Sequence, residues 1–330
     1  MAQTRREFLA TTTAASAALM SGVRAAERPT TDDISLAAWS INRSFFVGKR
    51  WKNVDLPRIA REEFGINGLE LVNQFFENPV MNHLNQMKRN ADSFGVKYVL
   101  VMVDGEGDMA AKEQKERIQA AIAHRKWVDV AHYLGCHAIR CNLGGSRQGW
   151  KEDKDLVSRA AESFNHLLEY AKGAGLNVVI ENHGGASSDP GVLVPIMKAV
   201  NNPDFGVLPD FGNINQGDDH YEVVRQLLPY AKGISVKSSW TEEGTHPRYD
   251  LEKMLRICMD SGYHGFWGIE SAYGRPAGRR GGAGTGAQAG APQAAAEPPA
   301  PSPDQIWEQE AKGVRLTKAV IEKVVLKKAS

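Results

Sequence analysis

The sequence predicts an α/β fold, a single-domain (β/α)₈ barrel, from three observations. Eight short runs rich in β-branched and aromatic residues alternate with longer amphipathic segments between residues 33 and 326. Several of these segments end in a glycine directly before the next apolar run, where glycine provides the left-handed exit from a helix. No Gly-rich phosphate loop follows the first run, which disfavours the alternative, a doubly wound sheet. Eight strand and helix repeats with right-handed crossovers therefore favour a closed barrel.

The individual elements follow from the period of the apolar residues. Apolar side chains at helical spacing predict helices over 112–134 and 155–174, and a last helix over 304–323. The predicted strands, in chain order, are 34–39, 66–71, 96–102, 137–143, 176–182, 205–211, 232–238 and 265–271.

Residues 275–303 interrupt this alternation in the loop after the eighth strand. The segment is mostly Gly, Ala and Pro, so it buries too little apolar surface to order itself and is predicted to be a disordered insertion. The alternative is a phosphate site, because barrels often bind phosphate near their last two loops. Its basic residues would be Arg275, Arg279 and Arg280.

Residues 1–26 have the features of a twin-arginine export signal. Arg5 and Arg6 precede Phe8 and Leu9, then an Ala- and Thr-rich stretch with a small-residue processing pattern near 23–25. A frayed basic N-terminus is the alternative. The apolar part is too short and too polar to span a bilayer, so no stable membrane insertion is expected. The sequence thus predicts a periplasmic or extracellular protein delivered by the twin-arginine export machinery, which carries folded proteins.

Composition excludes some partners and chemistries. The chain has 40 basic and 39 acidic residues, a formal net charge of +1, so it lacks the electrostatic footprint that nucleic-acid binding needs. Cys136, Cys141 and Cys258 match no zinc spacing and no disulfide framework, so they are expected to be core residues. A homo-oligomer is compatible with the composition.

Three carboxylates stand where apolar strands stop. Glu181 ends the fifth strand, Asp210 the sixth and Glu270 the eighth, and in a barrel of this kind those ends form one mouth. Taken singly, each acid has an ordinary explanation as a helix cap or a solvated loop residue. Together they would repel one another unless a cation neutralised them, which favours a divalent metal. Oxygen ligands favour Mn²⁺ or Mg²⁺, with Co²⁺ or Zn²⁺ as alternatives.

The strand ends carry a family resemblance. The motifs IENHGG (180–185), LPDFGN (208–213), ISVKS (234–238) and WGIES (267–271) resemble the sugar phosphate isomerase/epimerase group of the xylose-isomerase-like TIM barrels. The resemblance covers roughly residues 33–326. It implies that Glu181 and Glu270 both hold the metal and act as acid and base on opposite faces of a sugar, with Asp210 as a pure ligand.

The sequence departs from the family pattern in two places. Many relatives end the seventh strand in a His, one residue and a Lys, whereas this chain has Ser235 and Lys237, which face the same side of the strand. Ser235 is a weak or water-mediated ligand candidate, and Lys237 is either a stabiliser of a developing oxyanion or a structural ion pair. Asn213 stands where relatives often have a substrate-binding His, and an amide binds hydroxyls without carrying protons. His183 is then the central imidazole, as a proton shuttle, a substrate contact or a partner of a ligand.

The remaining strand ends supply further candidates for substrate binding. An aromatic wall for a sugar ring is expected from Trp39 and the loop 42–46, although core filling is the simpler role for Trp39. The polar and charged candidates are Glu70, Arg140 and Asn142, with His246 and Arg248 in the seventh loop.

These residues predict a metal-dependent sugar isomerase or epimerase that transfers a proton through an enediolate. Phosphorylated sugars are scarce outside the cytoplasm, so a free, oxidised or glycosidic carbohydrate is the expected substrate. Two alternatives stay open. The first is a lyase or deglycosylase that acts on keto-glycosides with the same site. The second, suggested by the missing histidine ligand, is a non-catalytic sugar-binding barrel.

Overall fold

The computed structural model describes residues 32–145, 149–274 and 300–327 as a barrel of parallel strands. The strands pair in the order β6-β5-β4-β3-β2-β1-β8-β7. Parallel bridges between Val207 and Ala231 and between Asp210 and Ser235 join the two outer strands of that order and close the ring. The strands are β1 (Asp33–Ala37), β2 (Gly68–Val72), β3 (Lys97–Val103), β4 (Ala138–Cys141), β5 (Asn177–Glu181), β6 (Phe205–Leu208), β7 (Ile234–Trp240) and β8 (Phe266–Tyr273). The predicted (β/α)₈ barrel is confirmed.

Helices cover the outside of the barrel between successive strands. Two short helices and a π-helical turn at Ile59–Glu63 replace a single long helix between β1 and β2. The helices are α1 (Asn42–Phe46), α2 (Leu56–Arg58), α3 (Met81–Phe94), α4 (Gln114–Leu134), α5 (Leu156–Lys172), α6 (Pro190–Val200), α7 (His220–Leu227), α8 (Leu251–Asp260) and α9 (Pro303–Val324).

The helix ends follow the chemistry expected from the sequence. Gly95 after α3 and Gly135 after α4 have φ of 62° and 83°, the left-handed conformation that glycine adopts without a steric penalty. At the start of α9, the Ser302 hydroxyl accepts from the Gln305 backbone N–H, and the Gln305 side chain accepts from the Ser302 N–H in return. Ser302 and Pro303 therefore belong to the cap and first turn of α9 and not to the predicted insertion.

The core consists of the strand residues and the inner faces of the helices. Every residue of β2 and β5 is buried, and Trp267 of β8 is fully enclosed. The three cysteines are buried and unpaired, as expected of core residues.

Two predicted segments lie outside the described residues: the export signal (1–26) and residues 275–299 of the insertion, with their three arginines. Within the described ranges, no helix combines the length and the apolar character that crossing a membrane requires.

Candidate active site

Three carboxylates converge at the carboxyl-terminal mouth of the barrel. Glu181 is the last residue of β5, Asp210 follows β6 after Pro209, and Glu270 lies in β8. One oxygen from each lies within 4.8 Å of those of the other two. Glu181 and Asp210 are buried and Glu270 is half-buried. The structure thus brings together the three residues that the sequence singled out as metal ligands.

Asp210 is held by donors from three directions. Its Oδ1 accepts the backbone N–H groups of Gly212 at 2.8 Å and Asn213 at 2.7 Å, and its Oδ2 accepts the Ser235 hydroxyl at 2.9 Å. The Asn182 amide bonds both the N–H and the carbonyl of Asp210, so it fixes the end of β5 against the end of β6. Burial raises the pKa of Asp210 to about 7, against the lowering effect of Lys237.

Glu181 has one well-made hydrogen bond and one bare oxygen. Its Oε1 accepts from the Asn213 side-chain amide at 2.9 Å. Its Oε2 lies 2.8 Å from Arg140 Nε, but the two atoms are not aligned as a hydrogen bond and each lacks a hydrogen-bonding partner. Burial raises the pKa of Glu181 although the Arg140 charge opposes this. A buried carboxylate oxygen without a donor has unused capacity for a ligand.

Lys237 lies between the other two carboxylates. Its Nζ is 2.5 Å from Glu270 Oε1 and 3.6 Å from Asp210 Oδ2. Gly212 gives the lysine stem room, because a Cβ there would lie 3.0 Å from Lys237 Cγ and Cδ. Although burial alone would lower the pKa of Lys237, Asp210 and Glu270 raise it above its ordinary value, so the ammonium persists at neutral pH.

Arg140 connects Glu181 to Asp104, a residue that the sequence analysis did not select. Its Nη1 donates to Asp104 Oδ1 at 2.6 Å, and the Asn142 amide donates to the same oxygen at 2.7 Å. Asn73 binds the backbone of Asp104 on both sides, at 2.8 and 3.0 Å. Asp104 follows the apolar run of β3 directly, so the strand-end criterion that selected Glu181 also applied to it.

Glu70 lies in the barrel interior. It is 1% exposed; its Oε1 accepts from the Ser35 hydroxyl at 2.7 Å and its Oε2 has no partner. Gly268 leaves room for it, because a Cβ at that position would lie 2.1 Å from Glu70 Oε1. Burial, with smaller effects from Glu270 and Glu181, raises the pKa of Glu70 to about 8.

His183 is exposed at the mouth. Its backbone N–H donates to the Ser187 hydroxyl at 2.7 Å, which fixes the turn after β5. Partial desolvation lowers its pKa, and the positive charges of Arg140 and Lys237 add to this effect. The neutral imidazole is therefore the favoured form at neutral pH.

Aromatic rings gather on the β1 and β2 side of the mouth. Trp39 and Phe75 meet edge to face at 5.5 Å between centroids, and Phe45 and Phe46 lie 4.6 and 4.7 Å from Phe75. Phe46 is 44% exposed, so the wall predicted from the 42–46 loop has an open face.

The seventh loop is separate from the carboxylates. His246 Nδ1 is 3.0 Å from the Tyr249 carbonyl, and its ring packs against Trp240 and Tyr249. Tyr249 in turn donates its hydroxyl to the Lys237 carbonyl. His246 thus contacts the strand that carries Lys237, and Arg248 is exposed in the same loop.

The residues present fit a divalent cation. Three carboxylates offer hard oxygen ligands, and Glu181 Oε2 is buried without a donor. The histidine of the family pattern is replaced by Ser235, whose hydroxyl is committed to Asp210. Within the described residues, the candidate site therefore comprises three carboxylates, with Ser235 and no imidazole at the position of the family histidine.

Parallel strands in a closed ring and an acidic cluster at their carboxyl ends define the class of the protein, a (β/α)₈ barrel with a carboxylate-lined mouth. The chain belongs to the xylose isomerase-like TIM barrel family, whose model matches residues 59–296. No curated protein matches the chain at a significant level.

Solved structures share the fold at low sequence identity. The IOLI protein with a bound zinc atom is 12% identical, with a TM-score of 0.65 over 90% of this chain and 99% of that one. D-allulose 3-epimerase from Methylomonas sp., in complex with D-allulose, is 13% identical, with a TM-score of 0.59 over 74% and 86%. 3-Keto-D-glucoside 4-epimerase from E. coli is 13% identical, with a TM-score of 0.57 over 73% and 92%.

Proposed function

We propose that the chain is a divalent-metal-dependent sugar isomerase or epimerase that works by proton transfer. The observation that carries the proposal is the convergence of Glu181, Asp210 and Glu270 within 4.8 Å at the barrel mouth. Membership of the family and the fold shared with two sugar epimerases support it.

Glu181, Asp210 and Glu270 would hold the cation, with Mn²⁺ or Mg²⁺ favoured by the oxygen ligands and Zn²⁺ or Co²⁺ as alternatives. A cation held by these residues would supply Lewis-acid polarisation of the sugar carbonyl, which acidifies the neighbouring C–H. Ser235 keeps Asp210 oriented, and Asn213 keeps Glu181 oriented.

The two glutamates have different surroundings, which suggests different roles. Glu181 is buried against Arg140 and Asn213, whereas Glu270 is half-buried and contacts the Lys237 ammonium. In the proposed reaction Glu270 removes the proton from the sugar carbon through a carboxylate oxygen. Lys237 Nζ donates a hydrogen bond to the oxygen that becomes negative. Glu181 takes up a proton from solvent and delivers it to the opposite face of the carbon, and Glu270 releases its proton to solvent.

The substrate proposed is a free, oxidised or glycosidic carbohydrate outside the cytoplasm. The export signal predicted over residues 1–26 supports this, since phosphorylated sugars are scarce outside the cytoplasm. His183 at the mouth and the Phe45 and Phe46 wall would contact its hydroxyls and ring.

Deuterium exchange tests the proposal. Protein loaded with Mn²⁺ is incubated in D₂O with ketohexoses and 3-keto-glucosides, and incorporation at the carbon next to the carbonyl is followed by NMR. Glu270→Gln, which keeps the shape and removes the base, is expected to slow exchange at least about 100-fold. Glu252→Gln on α8 is the control, because the ion-pair partners of Glu252 among the described residues are Arg256 and Lys323 on the surface. Sugar binding without exchange by the wild-type protein would instead indicate a non-catalytic barrel.

Elimination is the second candidate reaction. The Lys237 ammonium lies 2.5 Å from Glu270, so one group would remove a proton while the other protonates a departing glycosidic oxygen. Release of aglycone from a keto-glycoside, without formation of an epimer, would favour this lyase or deglycosylase reaction over epimerisation.

A further inference from the structure

The buried Arg140 guanidinium lies between two carboxylates, and only one of them is a candidate metal ligand. Its Nε is 2.8 Å from Glu181 Oε2, and its Nη1 is 2.6 Å from Asp104 Oδ1. The side chains of Arg140 and Glu181 are each 2% exposed, so water screens their interaction little. An arginine is always charged in a protein, so this positive charge faces the site at every working pH.

A permanent cation beside a metal ligand opposes metal binding. Arg140 attracts the same Glu181 oxygen that a divalent ion would use, and it repels the ion itself. Asp104 weakens the attraction between Arg140 and Glu181. Its carboxylate accepts a directed hydrogen bond from the guanidinium, whereas Glu181 Oε2 accepts none.

The formal charges of the described groups show what Asp104 changes. Glu181, Asp210, Glu270 and Asp104 are four carboxylates, and Arg140 and Lys237 are the two cations in contact with them. The balance is two negative charges, which equals the charge of one divalent cation. Without Asp104 a single negative charge would be left. Among the described ion pairs none joins Glu70 to either cation, and its Oε1 accepts from the neutral Ser35 hydroxyl, so Glu70 is outside this balance.

The surroundings of Asp104 keep it in place for this role. The Asn73 amide bonds the Asp104 carbonyl at 2.8 Å and its N–H at 3.0 Å, and Asn142 donates to Oδ1 at 2.7 Å. These contacts fix the carboxylate against Arg140.

We propose that Asp104 is a positioning residue that anchors and neutralises Arg140, so that the negative charge of Glu181 is not compensated by Arg140 and remains available to a divalent cation. This inference rests on the proposed metal-dependent function and deepens it. It assigns the metal affinity of the site to a residue that does not touch the metal.

The test measures Mn²⁺ binding to purified, metal-free protein by EPR, with no substrate present. Asp104→Asn is expected to weaken binding about 10- to 100-fold, the usual effect of losing a group that supports a metal ligand. The double variant Asp104→Asn/Arg140→Met removes both charges, restores the balance of two negative charges and is expected to bind within about 3-fold of wild type. A purely structural role for Asp104 predicts no such rescue.

Asp153→Asn is the matched control. Asp153 also pairs with an arginine, Arg159, at 3.0 and 2.6 Å, but none of the three ligand carboxylates is among its contacts. Its loss is expected to leave Mn²⁺ affinity unchanged. Circular dichroism and thermal unfolding identify variants that fail to fold.

Two outcomes would overturn the inference alone. In the first, Asp104→Asn binds Mn²⁺ as tightly as wild type. In the second, the double variant binds Mn²⁺ at least 10-fold more weakly than wild type. The second criterion applies even where the single variant does not fold. Wild-type protein that binds no Mn²⁺ would contradict the proposed function and the inference together. Wild-type protein that binds Mn²⁺ without exchanging sugar protons would contradict the proposed reaction and leave the inference intact.

Discussion

Glu70 is a carboxyl group placed where a charge is costly. It is fully buried, with only the Ser35 hydroxyl as a donor, and its pKa is raised to about 8 mainly by burial. A folded-state pKa above the unfolded value of about 4.5 means that the native protein binds the extra proton between pH 4.5 and 8. The contribution of Glu70 to stability is therefore complete at low pH and is lost as the pH rises through that window.

Replacing Glu70 by Gln is expected to remove this pH dependence. Between pH 5 and 8 the free energy of unfolding of the wild-type protein should fall relative to that of Glu70→Gln, by at most about 1.4 kcal/mol per pH unit. Urea unfolding at several pH values measures the difference. Parallel curves for the two proteins would contradict the assignment of a buried, protonated Glu70.

At the residue scale, the sequence was sufficient to select the candidate metal ligands but not the residues that contact them. Glu181, Asp210 and Glu270 were found because each ends an apolar strand. Asp104 obeys the same rule and was missed, because its role depends on Arg140, a residue on the neighbouring strand. Which carboxylate an arginine faces is decided by rotamers across the barrel, and a linear pattern carries no information about them.

Among the elements, the Glu310 side chain of α9 binds the first turn of the short helix α1. The carboxylate of Glu310 accepts the backbone N–H groups of Arg43 at 2.8 Å and Ser44 at 2.9 Å, so it satisfies free donors in the first turn of α1. Helix α9 thereby fixes the short helix α1, which carries Phe45 and Phe46.

Loss of this carboxylate is expected to affect both stability and substrate affinity. Glu310→Ala removes two charge-assisted hydrogen bonds and should cost about 2–4 kcal/mol in urea unfolding. It should also raise KM for the sugar more than it lowers kcat, since the aromatic wall loses its support. Glu310→Gln keeps an acceptor oxygen and should show a smaller change in both. Equal effects of the two variants would contradict the proposed anchoring.

Element boundaries show where local patterns stop being sufficient. The sequence predicted the sixth strand to residue 211, but β6 ends at Leu208, because Pro209 has no N–H to continue the ladder. β7 and β8 extend beyond their predicted ends to Trp240 and Tyr273, where they pair with each other. Trp240 also donates to Thr317 of α9. That extension depends on a helix more than 70 residues away in the sequence.

For the whole molecule, a divalent ion held by three strands should stabilise the fold. A ligand that binds only the native state adds about 2.7 kcal/mol at 100 times its Kd. The melting temperature of metal-free protein is therefore expected to rise on addition of Mn²⁺ and to fall again with EDTA. Asp210→Asn should abolish most of the rise, and an unchanged melting temperature with Mn²⁺ for the wild-type protein would contradict the metal site. Differential scanning calorimetry measures all three.

For the whole molecule, the sequence was sufficient to predict the barrel architecture. Eight alternating strands and helices with glycine at the helix ends can pack into few architectures. It was insufficient for the charge balance of the site, which depends on groups brought together from β3, β4, β5, β6, β7 and β8 by closure of the ring.

That closure is uneven around the barrel. Between β6 and β7 the backbone hydrogen bonds are those from Lys232 to Val207, from Ser235 to Pro209 and from Phe211 to Ser235, fewer than the extended ladder of β7 with β8 provides. Asp210 lies on this join and bonds the Ser235 side chain across it. The barrel is therefore closed at a join with few backbone hydrogen bonds, and the candidate metal ligand Asp210 is part of that join. Opening the join between β6 and β7 would separate Asp210 from Glu270. The same few contacts therefore contribute both to the mechanical integrity of the barrel and to its affinity for a cation.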